Sequence, residues 1–111
     1  MKVIHYRDVD PEVVEAKGAG KTTIRWLIAA GDGAPNFAMR LFEVEPGGQT
    51  PLHTHDWEHE VFILSGEGSV WKEGEEISVS PGTAVFVSPQ EKHRFRNAGA
   101  EKLRLICLVP V

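Results

Sequence analysis

Glycine and proline decide most about how this chain can fold. Eleven glycines and seven prolines among 111 residues cut the apolar pattern into short blocks. Thr22 to Ala30 (TTIRWLIAA) reads as a strand closed by Gly31-Asp32-Gly33-Ala34-Pro35, and Asn36 to Val44 (NFAMRLFEV) as a second ended by Glu45-Pro46-Gly47-Gly48. Further strands are predicted at Glu60 to Leu64, Gly68 to Lys72, Glu76 to Val79, Thr83 to Val87, His93 to Arg96 and Leu103 to Val109, with turn chemistry between them. A series of blocks this short predicts an all-β sandwich or barrel. The one helical candidate is Asp10 to Ala16, a turn or two with Asp10 as N-cap and Pro11 at the first position.

Nothing in the series suggests a linker or a repeat, so residues 1–111 read as one domain. The formal charge of −4 argues against a nucleic-acid partner, which needs a basic stripe. No window approaches the ~20 apolar residues of a membrane span. The N-terminal MKVIHYRDVDPE carries charges every few residues and no apolar core of a leader, and the single cysteine, Cys107, excludes an intramolecular disulfide. A soluble cytoplasmic protein is expected.

Three of the five histidines, His53, His55 and His59, fall within PGGQTPLHTHDWEHEVFILSG, residues 46 to 66. Successive side chains of a strand point to opposite faces, so these three odd-numbered residues share one face while Glu58 and Glu60 point the other way. His93, in SPQEKHRFRN, lies in a segment that a β-sandwich can bring alongside. Imidazole clusters of this kind suit Mn, Fe, Ni, Cu or Zn; the competing reading is a solvated histidine-rich hairpin. The same parity puts Phe95 and Asn97 on the face of His93, and Leu103, Leu105, Cys107 and Val109 on the inner face of the last strand. Cys107 there is either a small buried hydrophobe or a thiol near the metal. Arg40 interrupts an apolar run, either solvated or as an anion partner in a pocket, and Trp57 packs over the site or plugs the barrel end.

Two other strings carry no function. GAGKTT, Gly18 to Thr23, has Glu15 where a phosphate-binding loop needs its first glycine. The string His55-Asp56-Trp57-Glu58-His59 matches a zinc-protease pattern that requires a helix, which its surroundings deny.

The spacing Gly47, His53-x-His55, Gly66 resembles the first motif of the cupin superfamily, and Gly82, Ser88, His93, Asn97 the second. His59 stands where that motif has a glutamate. Ser88 takes the usual proline position, with Pro89 one place later, and Gln90 the usual glycine. The string HTHDWEHE with HRFRN downstream is similar to a subgroup of small single-domain bacterial manganese cupins, a likeness that continues through APNFAMRLFEVEPGG and CLVP. The resemblance implies a double-stranded β-helix, a jelly-roll barrel of two antiparallel sheets. It also implies one divalent metal, Mn²⁺ first, on His53, His55, His59 and His93, with Arg40 turned into the pocket and a homodimer. Four neutral imidazoles would leave two positions of an octahedral sphere open and favour an anionic co-ligand. The leading expectation is dioxygenase-like oxidation of a small organic substrate with O₂ or peroxide, with Arg40, Phe95 and Cys107 as the catalytic candidates beside the metal. The rivals are a Lewis-acid isomerase or decarboxylase, and a non-enzymatic small-molecule or metal-sensing module, because fold alone leaves function open.

Overall fold

The computed structural model describes residues 1–111 and is all-β, with nine strands and two short 3-10 turns at Tyr6–Asp8 and Ala30–Asp32. The strands are β1 (Glu12–Val13), β2 (Gly20–Ile28), β3 (Phe37–Gln49), β4 (His59–Ser65), β5 (Gly68–Lys72), β6 (Glu75–Val79), β7 (Ala84–Val87), β8 (Arg94–Asn97) and β9 (Leu103–Pro110). All pair antiparallel in the order β6-β5-β8-β3-β9-β4-β7, with β2 on β3 and β1 on β2. The sheet curls until its two ends, β6 and β7, line a shared groove. This is the jelly-roll barrel expected from the sequence. The two halves of the curled sheet are joined through β3, which pairs with β9 along Phe37–Val44 and with β8 at Gln49.

β3 runs through Pro46-Gly47-Gly48 instead of ending there. Gly47 has φ +81, in the left-handed region that glycine enters without a Cβ clash, so the strand bends and resumes pairing at Gly20↔Gln49. The Asp10–Ala16 helix is absent. Its residues instead lie along the edge of β2, with Glu12 opposite Ile24 and the Val14 N–H donating to the Thr22 carbonyl at 3.0 Å. The β2 edge offers that segment a ladder, which outweighs a local capping signal.

The core is the inner face of the curl. Val61 and Ile63 of β4, Val70 of β5, Val79 of β6, Phe95 of β8, and Leu103, Leu105, Cys107 and Val109 of β9 form one buried cluster. β9 alternates buried and half-buried residues along its length until Pro110, as its sequence parity predicts. Gly66 turns the chain between β4 and β5 at φ +80, where a Cβ would come within 2.5 Å of the Lys102 carbonyl oxygen. No helix is long and apolar enough to cross a membrane.

Candidate metal centre

Two backbone features bring the histidines together. His53 and His93 pair in an isolated antiparallel bridge, each N–H donating to the other's carbonyl at 3.2 Å. His59 opens β4 on its inner face, two residues before buried Val61, while Glu60 faces out. The ligand-capable nitrogens of His53, His55 and His93 all lie within 4.8 Å of one another. His59, expected as a fourth ligand, is not part of that three-histidine cluster; its ring lies tilted beside it, the centroid 4.2 Å from that of His55 and 5.2 Å from that of His93, with its Nε2 against the His55 Nε2.

The outer nitrogens explain which atoms face inward. His55 Nδ1 donates to the Trp57 carbonyl at 2.7 Å and His93 Nδ1 to the Glu91 carbonyl at 2.8 Å. A proton held on Nδ1 by a carbonyl leaves the Nε2 lone pair free, the arrangement that metal-ligating histidines adopt. Trp57 adds a parallel stack on His55, with centroids 4.6 Å apart and planes 6° from coplanar. Burial, foremost, holds the His53, His59 and His93 imidazoles below their ordinary pKa. For His59, pushed down to about 3, the neighbouring His55 and Arg40 add to that effect. Neutral imidazole is the form that ligation requires, so the donor set fits a divalent transition metal.

Behind His59 stand two residues that the sequence singled out. Cys107 Sγ lies 2.6 Å from His59 Nδ1, and an Arg40 guanidinium nitrogen lies 3.0 Å from the sulfur and 3.2 Å from the same Nδ1. With a proton on Nδ1, His59 donates to the sulfur and keeps Nε2 for the cavity. Burial pushes the Cys107 thiol up, while Arg40 pulls the other way. Cys107 and Trp26 are the cross-strand partners of Arg40 on β9 and β2, so all three share the inner face. The guanidinium lies over the Trp26 and Phe42 rings, at 5.3 and 5.1 Å.

These groups line one cavity of about 400 Å³, with Phe95 and Leu105 on its wall, a volume within the range of small-molecule sites. Phe95 is therefore both core and lining. Sequence reasoning missed the N-terminal contribution: Val14, Glu15 and Ala16 reach the lining, and Glu15 is its one carboxylate. It also missed Trp26, because only the β2–β3 register places that side chain opposite Arg40. His5, the remaining histidine, is exposed and accepts the Arg7 N–H on Nδ1 at 3.1 Å.

Residues 40–109 match the Cupin_2 family profile, described as a cupin domain. The chain is 39% identical to the polyketide cyclase RemF from Streptomyces resistomycificus, whose structure superimposes with a TM-score of 0.93 over 99% of this chain and 79% of that one. It is 26% identical to an oxalate-binding protein from Thermotoga maritima, over 96% of this chain and 92% of the relative. A third relative, 1-methylthio-D-xylulose 5-phosphate methylsulfurylase from Rhodospirillum rubrum, is 30% identical over 86% of this chain, which spans 60% of that protein's length.

Proposed function

Because the chain belongs to the cupin-domain family, we propose that its barrel holds one divalent transition metal on His53, His55, His59 and His93 and acts on a small organic molecule with two neighbouring oxygens. The observation that carries this reading is the inward turn of the imidazoles, with the Nδ1 atoms of His55 and His93 fixed by backbone carbonyls. Mn²⁺ is the metal that the sequence resemblance implies, and Fe, Ni, Cu and Zn suit the same nitrogens.

Two relatives narrow the substrate class. Oxalate and a polyketide both present paired oxygens on a carbon frame, and the names of two similar proteins carry them. The cavity adds an apolar, aromatic wall and one cation, Arg40. Of the readings that the sequence leaves open, Lewis-acid chemistry on an enolisable dicarbonyl has the stronger support, through the 39% identity to a polyketide cyclase. A divalent metal held here supplies polarisation of a carbonyl pair. The protein does the rest: Trp57 and the Trp57 carbonyl hold His55, Cys107, itself accepting from Arg40, holds His59, and the aromatic wall excludes water. Glu15 is the carboxylate available to take up the proton released from carbon.

The test begins with elemental analysis and an EPR spectrum of tag-free protein, before and after addition of acetylacetone. The loaded protein is then incubated with a linear diketone able to close a six-membered ring, while enone absorbance and dissolved oxygen are followed together. Ring closure without oxygen uptake supports the proposal. Oxygen consumed in step with substrate would replace it with the oxidative reading, and binding without turnover with the non-enzymatic one. A homodimer is part of the same proposal. Phe62, Leu64 and Phe86 are 47%, 47% and 64% exposed on the outer side of β4 and β7, an apolar face suited to a second copy. Light scattering of Phe86→Glu against the unaltered chain checks it, with a monomer expected for the variant.

A further inference from the structure

Arg40 lines more than the histidine cavity. A second cleft of about 560 Å³ lies beyond it and shares three wall residues with it: Trp26, Arg40 and Trp57. Strand register gives the offset. Arg40 pairs with Cys107 across β3 and β9, and Ala38 with Val109 is the next inward-facing pair, one pleat repeat or roughly 7 Å along the strands. Ala38 and Val109, 3% and 7% exposed, form the floor of the second cleft. A methyl side chain at Ala38 leaves room that a larger residue would fill. The turn at Ala29 to Gly31 forms the opposite rim.

The residues at the boundary are left incomplete by the protein itself. Trp26 and Trp57 are 42% and 47% exposed, although each lines both cavities. Arg40 Nε is buried and has no acceptor. A buried donor left without a partner is unfavourable. Two exposed indoles and a guanidinium suit a flat, electron-rich body better than a flexible alkyl chain.

We propose that the two cavities are one substrate site in two compartments. The histidine chamber takes the oxygen-paired head, and the outer cleft takes a flat fused-ring or poly-ketone body between Trp26 and Trp57. Arg40 stands at the boundary between them. The head assignment rests on the function proposed above; the body assignment rests on the walls that the two cavities share. Substrates of a single diketone unit would then use half of the site.

Two probes with the same head and different bodies test this: acetylacetone and a dihydroxyanthraquinone. Each is titrated calorimetrically into metal-loaded protein, unaltered and as Gly31→Phe and Ala30→Phe, two substitutions on the outer rim. A Cβ at Gly31 meets nothing within 4 Å, so that variant is expected to fold. Thermal melts confirm folding for both. The expected result is that the anthraquinone binds at least tenfold more tightly than acetylacetone to the unaltered protein. The rim variants should then weaken the anthraquinone at least tenfold and leave acetylacetone within twofold. Equal affinity of the two probes, or rim variants without effect on the anthraquinone, would overturn the second compartment while acetylacetone binding left the histidine chamber standing. Failure of acetylacetone to bind loaded protein or change its EPR spectrum would overturn the head assignment, and with it both proposals.

Discussion

Asn97 shares a strand with His93's neighbours and belongs to the same motif, yet its side chain works on the fold and not on the metal centre. It is 3% exposed; its Nδ2 donates to the Val44 and Glu101 carbonyls at 2.8 Å each, and its Oδ1 accepts the Gly99 N–H at 2.9 Å. These bonds tie the end of β8 to β3 and to the turn before β9. Three hydrogen bonds at about 1 kcal/mol each set the scale for Asn97→Ala. The Glu101 carbonyl sits on an exposed residue and can recover water, so the expected loss is about 2–3 kcal/mol. With about 2.1 cal/mol/K of unfolding entropy per residue over 111 residues, that is a fall in Tm of about 9–13 °C. Asn97→Asp is the sharper test. It keeps the Gly99 bond but sets a second oxygen against two carbonyl oxygens, so at pH 7 it should destabilise at least as much as alanine. Its carboxyl pKa is raised in the folded state, so the folded protein binds the extra proton and the deficit shrinks as pH falls towards 4. Urea melts of metal-free protein read both variants, and metal content should match the unaltered chain because Asn97 bonds to no histidine. A loss below about 1 kcal/mol for alanine, or an aspartate variant as stable as the unaltered chain at pH 7, would refute the bracket.

Acid should destabilise the metal-free protein well before its carboxylates are protonated. His53, His59 and His93 are held neutral by burial, so below pH 6.5 the unfolded chain binds protons that the folded chain does not. Their contribution is full above 6.5 and is lost on the way down towards the value of about 3 at His59; a flat stability profile between pH 7 and 5 would contradict it. Cys107→Ala removes the acceptor behind His59 Nδ1 and should weaken metal binding about 10-fold or more, measured by chelator competition, with Cys107→Ser closer to the unaltered chain because its oxygen can accept the same proton. Glu43, 5% exposed, accepts from Arg25 at 2.7 Å and Arg104 at 2.9 Å. Burial pushes its carboxyl up, but those hydrogen bonds hold it below the usual range on balance. Arg25 also donates to the Tyr6 and Val9 carbonyls, so Glu43→Gln should cost about 2 kcal/mol and speed proteolysis in the N-terminal segment that carries Glu15 to the cavity.

The strand series was legible because glycine and proline mark turns by local chemistry, which needs no knowledge of the partner strand. His59 was legible for a related reason. It begins a true strand, so parity with Val61 and Ile63 states its face correctly. His53 and His55 reach the same point by another route. Neither lies in a regular strand, and their position is set by the bridge between His53 and His93, forty residues apart in sequence. Residue spacing detected the cluster without containing the contact that builds it. The Asp10–Ala16 helix and the stop at Pro46 fail for the converse reason. Both are sound local signals, overridden by hydrogen bonds to β2 that no local window contains.

Gln90 shows how far a motif departure can be interpreted. Glycine is usual at that place in the second motif, and Gln90 has φ +67, a left-handed conformation costing a side-chain-bearing residue roughly 1–2 kcal/mol. Gln90 therefore strains the loop before His93. The structure supplies the compensation: the Gln90 N–H donates to the His55 carbonyl at 2.8 Å, and its Nε2 to Asp56 Oδ1 at 2.5 Å. Glycine would keep the first bond but not the second. The residue that strains one histidine loop also fastens it to the other, and so helps fix the separation of His55 and His93. A departure from a motif weakens a site only if nothing across the fold answers it, and here Asp56, thirty-four residues away, does.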